Sequence, residues 1–190
     1  QKENQLASAY SKLVASAQID FEGELRTIPQ MTPFSQSTDR SVRKAAQLAV
    51  TDFFVTHEAE FDAIYDEMVK VRDRIAKSLG FANYGEFADV KMNRWDYNRS
   101  MIETYRKEIL EKVVPATKVL YDRQAKRNHL TELKNYDLSL VYPTGNAKPQ
   151  GTPEELVAAA QKMYQEMSPE TGTFFDFMKD QDLLDLLSKP

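Results

Sequence analysis

The sequence contains no cysteine. That excludes a disulfide framework and any thiolate metal site, and it is compatible with a reducing compartment. Histidine is almost as scarce, with only His57 and His129. A metal centre built on several imidazoles has little to draw on. No run approaches the roughly 18 apolar residues needed to span a bilayer, so no membrane partner is expected. The opening stretch "QKENQLASAYSK" lacks the apolar centre of a signal peptide. Neither sign of charge dominates: the formal net charge is -4. The cationic clusters (Arg40, Arg43, Lys44; Arg123, Lys126, Arg127) have acids close by in sequence, which makes nucleic acid a poor partner. There is no glycine-rich phosphate loop and no Gly-x-Ser-x-Gly elbow.

What is present is helical pattern. Hydrophobic residues make up 42% of the chain and charged residues 28%, the balance of a globular protein with a core. Leu6, Tyr10, Leu13, Val14 and Ala17 fall on one helical face. "IDFEGELRTI" then alternates around Gly23 and predicts a short hairpin within residues 18–27, Gln18–Phe21 against Glu24–Thr27. Thr27 is placed to cap a turn that holds Pro29. The strongest signal covers 39–79. Residues 46, 49, 53, 57, 61, 64, 68, 71, 75 and 79 are apolar or compatible with a core, a spacing of about 3.7 against the helical 3.6. One long helix, or two meeting near Thr56, is expected, capped by Ser37 or Thr38 and ended by Gly80. A short helix comes next in "NYGEFADVKM". Asn98 caps another, which Pro115 must kink or break before the pattern resumes to Asn128. Residues 133–151 read as an extended arm. Thr152, Pro153 and Glu155 form a capping box, and Ser168 caps a last helix with Phe174 and Met178 facing inward. The fold class is mainly α: a multi-helical, bundle-like segment with a short β-hairpin and an extended arm.

Three groups of residues merit a chemical reading. "HEAEF" begins as a zinc-protease helix begins, with His57 and Glu58. That chemistry needs a second histidine four residues on, so that two imidazoles share one face and the glutamate between them can act as base. Position 61 is phenylalanine. His57-Glu58 is therefore not a His-Glu-x-x-His motif, and His57 reads as a packed histidine on the apolar stripe. Glu58, Asp62 and Asp66 are spaced four apart and read as a solvated helix face rather than a cation site. Met163, Met167, Phe174, Phe175, Phe177 and Met178 could line a peptide groove, but their helical spacing favours core. The residues supply no catalytic, cofactor-binding or metal site.

Several stretches in order resemble a known family. They are "DRSVRKAA" (39–46), "VKVRDRIAKSLGFANYGEFA" (69–88), "MNRWDYN" (92–98), "ILEKVVPATKVLYDRQAKRN" (109–128), "LKNYDLSLVYP" (133–143) with its aromatic-aspartate pair Tyr136-Asp137, and "MSPETGTFFDFMKDQDLLDLLSKP" (167–190). Together they resemble the oligoendopeptidase F and thimet-oligopeptidase-like zinc metallopeptidases from about Leu6 to Pro190. The resemblance implies a mostly helical, cytoplasmic peptidase whose channel admits short peptides. It also implies a zinc held by a His-Glu-x-x-His helix and a later glutamate, elements that normally lie beyond the position of Pro190. Residues 1–190 would then be a single non-catalytic helical segment forming scaffold and channel wall. That segment is expected to bind no zinc and to be inactive alone, with the missing catalytic part of the same chain as its partner. The alternatives are a stand-alone helical peptide- or protein-binding module, or an inactive peptidase relative.

Overall fold

A computed structural model describes residues 1–186; the end of the 167–190 motif, residues 187–190, lies outside them. Contacts divide the chain into two compact units, Gln1–Gly145 and Asn146–Pro190.

The first unit opens with α1 (Lys2–Ala15), whose Leu6 is buried. Strands β1 (Ile19–Phe21) and β2 (Glu24–Arg26) pair antiparallel, with Phe21 opposite Glu24 and Ile19 opposite Arg26. Glu22 (φ 54°) and Gly23 (φ 81°) form the two-residue link. Positive φ at both positions matches the right-handed twist of the strands, and glycine makes the second position cheap. Alternation along β1 sends Ile19 and Phe21 into the core and leaves Asp20 outside. Thr27 does not cap the turn at Pro29: its amide donates to Gln30 Oε1 (2.8 Å), and Oγ1 has no partner. That 3-10 turn, Pro29–Met31, runs into the one-turn helix α2 (Thr32–Ser35).

The 39–79 pattern forms two helices, α3 (Arg40–Thr56) and α4 (Glu58–Ser78), which meet at His57. The expected stripe is the inward face. Ala46, Phe53 and Val71 are buried and Ala49, His57, Phe61, Ile64, Met68 and Ile75 half-buried; only Leu79, at the end, is exposed. Ala76, off the stripe, is fully buried as well. The α3 cap is Asp39, not Ser37 or Thr38. Its Oδ1 accepts from the Ser41 amide (2.8 Å) and hydroxyl (2.7 Å), while Ser37 Oγ accepts from the Asp39 amide. The carboxylate wins because it satisfies a free amide and also places negative charge at the positive helix end. Gly80, at φ 84°, ends α4 as expected. One core collects Ala17, Ile19, Phe21, Met31, Ala46 and Phe53, with Phe34, Val42 and Phe61 packed on it.

Asn83 caps α5 (Tyr84–Lys91) and Asn98 caps α6 (Arg99–Glu108), each accepting from the amide three residues on. Between α6 and α7 (Val114–Arg127) lies a π-helical turn, Ile109–Val113. Pro115 explains it: proline offers no amide hydrogen, and its ring collides with the carbonyl four residues back, at Glu111. Widening that turn accommodates the ring without ending the helix. Asn128 closes α7, and His129 takes the left-handed conformation (φ 55°) just beyond.

The second unit is a helical hairpin, α8 (Pro153–Met167) and α9 (Pro169–Asp180), joined at Ser168. Thr152 and Glu155 form the expected capping box around Pro153, and Ser168 Oγ accepts from the Thr171 amide. The contact face differs from expectation. Phe175 and Gly172 are buried, whereas Phe174 is 60% exposed. Gly172 sets this register: a Cβ there would come within 3.1 Å of Gln165 Cα, so only glycine lets the helices approach so closely. Phe175, three positions on, then stacks on Tyr164 at 4.7 Å, and Phe174 is turned outward. Gly172→Val should lower the midpoint of chemical denaturation of this hairpin, at a cost of about 1–3 kcal/mol for overpacking; unchanged helical circular dichroism through the titration would contradict this.

Candidate functional site

His57 sits at the α3–α4 corner as a structural residue. Its Nδ1 lies 2.8 Å from the Phe53 carbonyl oxygen, and its ring lies 4.5 Å from that of Phe53. Phe61, where a second zinc ligand would stand, packs edge-on against Tyr10 (5.9 Å) and Phe53 (6.3 Å). Glu58, Asp62 and Asp66 are exposed on α4, and Asp66 pairs with Lys70 at 2.6 Å. Among the described residues, no group of three His, Asp or Glu side chains could hold a metal ion. His57 therefore does not fit a zinc site: one ring nitrogen is occupied by a backbone carbonyl, and phenylalanine stands four residues on.

The chemically distinctive cluster is elsewhere. Asp137 is 1% exposed, in a 3-10 turn (Asn135–Asp137) that starts the arm. Its carboxylate accepts from Arg40 Nη2 (2.8 Å) and Nε (3.1 Å), Arg43 Nη2 (2.8 Å) and the Lys134 amide (2.9 Å). Arg43 is 2% exposed, and its Nη1 donates to the Ser37 (2.8 Å) and Thr38 carbonyls. Arg40 also donates to the Glu132 carbonyl and lies over the Tyr136 ring. Two of the motifs read from sequence, 39–46 and 133–143, are thus one site in space. Burial works to raise the Asp137 pKa, but the hydrogen bonds from Arg40, the Lys134 amide and Arg43 outweigh it and hold the group at about 2.

The arm is not a strand. α7 holds it through side chains one turn apart. Gln124 Nε2 donates to the Leu140 (2.8 Å) and Leu138 (3.2 Å) carbonyls. Arg127 Nη1 and Asn128 Nδ2 donate to the Val141 carbonyl (3.1 and 3.2 Å). Leu140 is buried beneath, and Arg127 covers the Tyr142 ring at 4.7 Å. The Met/Phe group of the second unit is mostly outward: Met163, Met167, Phe174 and Phe177 are all more than half exposed. A cavity of about 300 Å³ lies between Leu156, Val157, Ala160, Phe175 and Leu184. In the first unit an open groove of about 510 Å³ runs along α6, lined by Arg94, Tyr97, Met101, Ile102, Tyr105 and Arg106. Sequence reasoning did not single these out, since Tyr97 and Arg94 precede the helix and show no period.

Comparison with solved structures gives close matches. A crystal structure described as an oligoendopeptidase F, grown by microfluidic seeding, is 45% identical over 99% of this chain, with a TM-score of 0.93. An oligoendopeptidase F assignment from Bacillus anthracis str. Ames is 49% identical over 98%, with a TM-score of 0.91. The chain belongs to the oligoendopeptidase F and PZ peptidase family. A PZ peptidase A solved with an inhibitor is 47% identical over 98%, with a TM-score of 0.93. The chain spans about a third of the length of these relatives (33–34%). No protein-family model matches it, and no curated protein does.

Removing the Asp137 carboxylate should destabilise the first unit by about 3–5 kcal/mol, because Arg43 would stay buried without a counter-charge. Urea unfolding of Asp137→Ala against the unsubstituted chain measures this. The folded-state pKa lies below the unfolded one, so the ion cluster's pH-dependent contribution is fully present above about pH 4 and is lost as pH falls through about 2. The amount is on the order of 2 kcal/mol. An acid titration of stability in Asp137→Asn should lack that limb.

Proposed function

We propose that this chain is the scaffold and channel-wall segment of a cytoplasmic zinc metallo-oligopeptidase that hydrolyses short, unstructured peptides. The observation that carries the reading is the match at 45–49% identity over 98–99% of the chain to proteins described as oligoendopeptidase F and PZ peptidase. The hydrolytic chemistry and the zinc belong to residues outside this chain, and no side chain described above takes part in either. The Asp137 cluster fixes the arm to α3 and so gives the wall a rigid edge. The lack of cysteine and the family likeness support a cytoplasmic setting.

A stand-alone binding module has one observation in its favour, the exposed Met163, Met167, Phe174 and Phe177. The two readings part on the parent protein. Reading frame beyond the codon for Pro190 should encode a His-Glu-x-x-His helix and a later glutamate. The longer protein should cleave a quenched fluorescent heptapeptide, lose that activity to a chelator and regain it with zinc. The chain alone should leave the peptide intact. A frame without the motif, or a longer protein inert towards peptides, would leave the binding module as the reading.

A further inference from the structure

The open groove at the start of α6 has a chemistry that the fold does not use. Residues 92–98 join α5 to α6, and one carboxylate fixes them. Asp89 Oδ1 accepts from Arg94 Nη1 and Oδ2 from Arg99 Nε, each at 3.1 Å, and the Arg94 amide donates to the Asp89 carbonyl at 3.0 Å. Gly85 leaves room for this arrangement, since a Cβ there would stand 2.7 Å from Arg99 Nη2. Arg94 is thus held at the groove with one side-chain nitrogen engaged and the others available. Arg106 lines the same groove, and its guanidinium has no hydrogen bond or ion pair among the described residues. Met101, Ile102 and Tyr105 share its side of α6, at spacings of three and four, and Tyr97 completes the wall. No carboxylate among the described residues lines this groove; Asp89 and Glu103 line an adjoining depression that shares Arg94 and Arg106 with it. The wall therefore presents two guanidinium groups beside two phenol rings, a thioether and an aliphatic side chain. Its volume of about 510 Å³ falls in the range of roughly 300–1,000 Å³ that suits a small ligand.

Charge complementarity selects the ligand. A guanidinium recognises a carboxylate through a planar fork of N–H donors. Aromatic and methionine side chains beside it accept an apolar group of the same molecule. A free peptide C-terminus with an apolar last side chain carries both features within one residue. A phosphate ligand fits less well, because the wall includes no lysine and no glycine-rich turn of the kind that cradles phosphate. We propose that this groove binds the C-terminal residue of short peptide substrates. Arg94 and Arg106 take the terminal carboxylate, and Tyr97, Met101 and Tyr105 take the last side chain. The inference rests on the function proposed above and names the substrate feature that this segment recognises. An anchor for a chain end favours short peptides, since their end always lies within a few residues of the bond to be cut.

The sequence supplies its own reporter. Trp95 is the only tryptophan, is exposed, and adjoins Arg94, so its emission follows ligand entry in this chain. An N-acetylated pentapeptide ending in phenylalanine is titrated as the free acid and as the C-terminal amide. The acid should bind on the order of 10-fold more tightly, the effect of one charge-assisted pair. Arg106→Ala should abolish that difference and leave the helical circular dichroism unchanged, because this guanidinium holds no other side chain in place; Arg106→Lys should keep part of the difference. Lys118→Ala, which removes a cation from α7 that is 76% exposed, should alter neither affinity. In the longer parent, kcat/KM for the quenched heptapeptide should show the same preference for the acid, carried by KM, and should lose it in Arg106→Ala. Equal affinity for acid and amide would overturn the proposal. So would displacement of both peptides alike by inorganic phosphate, which would mark a phosphate site, or an equal loss of acid and amide cleavage in Arg106→Ala. Acid-selective binding by this chain beside a parent inert towards peptides keeps the site and removes the proposed function; a parent that cleaves acid and amide equally well does the reverse.

Discussion

The first unit depends on one buried carboxylate. Asp137 lies more than ninety residues from Arg40 and Arg43 in sequence and accepts from both guanidinium groups. Without it, α3 would hold a nearly inaccessible cation with two backbone carbonyls as its only company. With it, the start of α3 and the start of the arm are locked at a defined distance. The cluster adds little net stability against a well-packed apolar replacement, since desolvation opposes the attraction. Its contribution is geometric: the arm has no strand partners, and the ion cluster sets where it begins. Gln124, Arg127 and Asn128 then carry it along α7 by its carbonyls. The neighbouring caps serve the same end, with Asp39 fixing the first turn of the helix that presents both arginines.

Much of this was legible in the sequence, and for identifiable reasons. The 46–79 stripe is a long signal, and tertiary packing agrees with it at nearly every position. Asn98, Thr152, Ser168 and Gly80 act through bonds within one turn, so local reading finds them. The family could be read from six ordered stretches, and structural comparison agrees. The misreadings have a common origin. Ser37 and Thr38 are good caps in isolation; Asp39 displaces them because charge adds to hydrogen bonding. Phe174 has the right period for an inward face, but Gly172 decides which face α9 presents, and a close approach between helices leaves no periodic trace. Nor could sequence pair Asp137 with Arg40 and Arg43. Two of the six stretches contain these residues, yet nothing in either says that they touch.

His57 shows the limit of short motifs. Two letters of a zinc-binding pattern fall at a helix junction where an imidazole is useful for other reasons. Its Nδ1 donates to the Phe53 carbonyl, its ring lies tilted against that residue's ring, and it ends one helix as the next begins. Phe61 then completes an aromatic cluster instead of a coordination shell. The later positions of such a motif decide its chemistry, and here they serve packing.

The π-helical turn at Ile109–Val113 has an effect beyond making room for Pro115. A turn of this kind holds one residue more than an α-helical turn, and one residue is worth about 100° of rotation. It therefore works as a phase shifter along the rod that α6, the turn and α7 form. Ile102 and Ile109 lie seven residues apart and Thr117 and Gln124 lie seven apart, but the step across the turn, from Ile109 to Thr117, is eight, so these half-buried positions keep to one side. A gene that lost one residue from this turn would keep every side chain of α7 and its helical propensity. It would nonetheless aim that half of the rod at a different part of its surroundings.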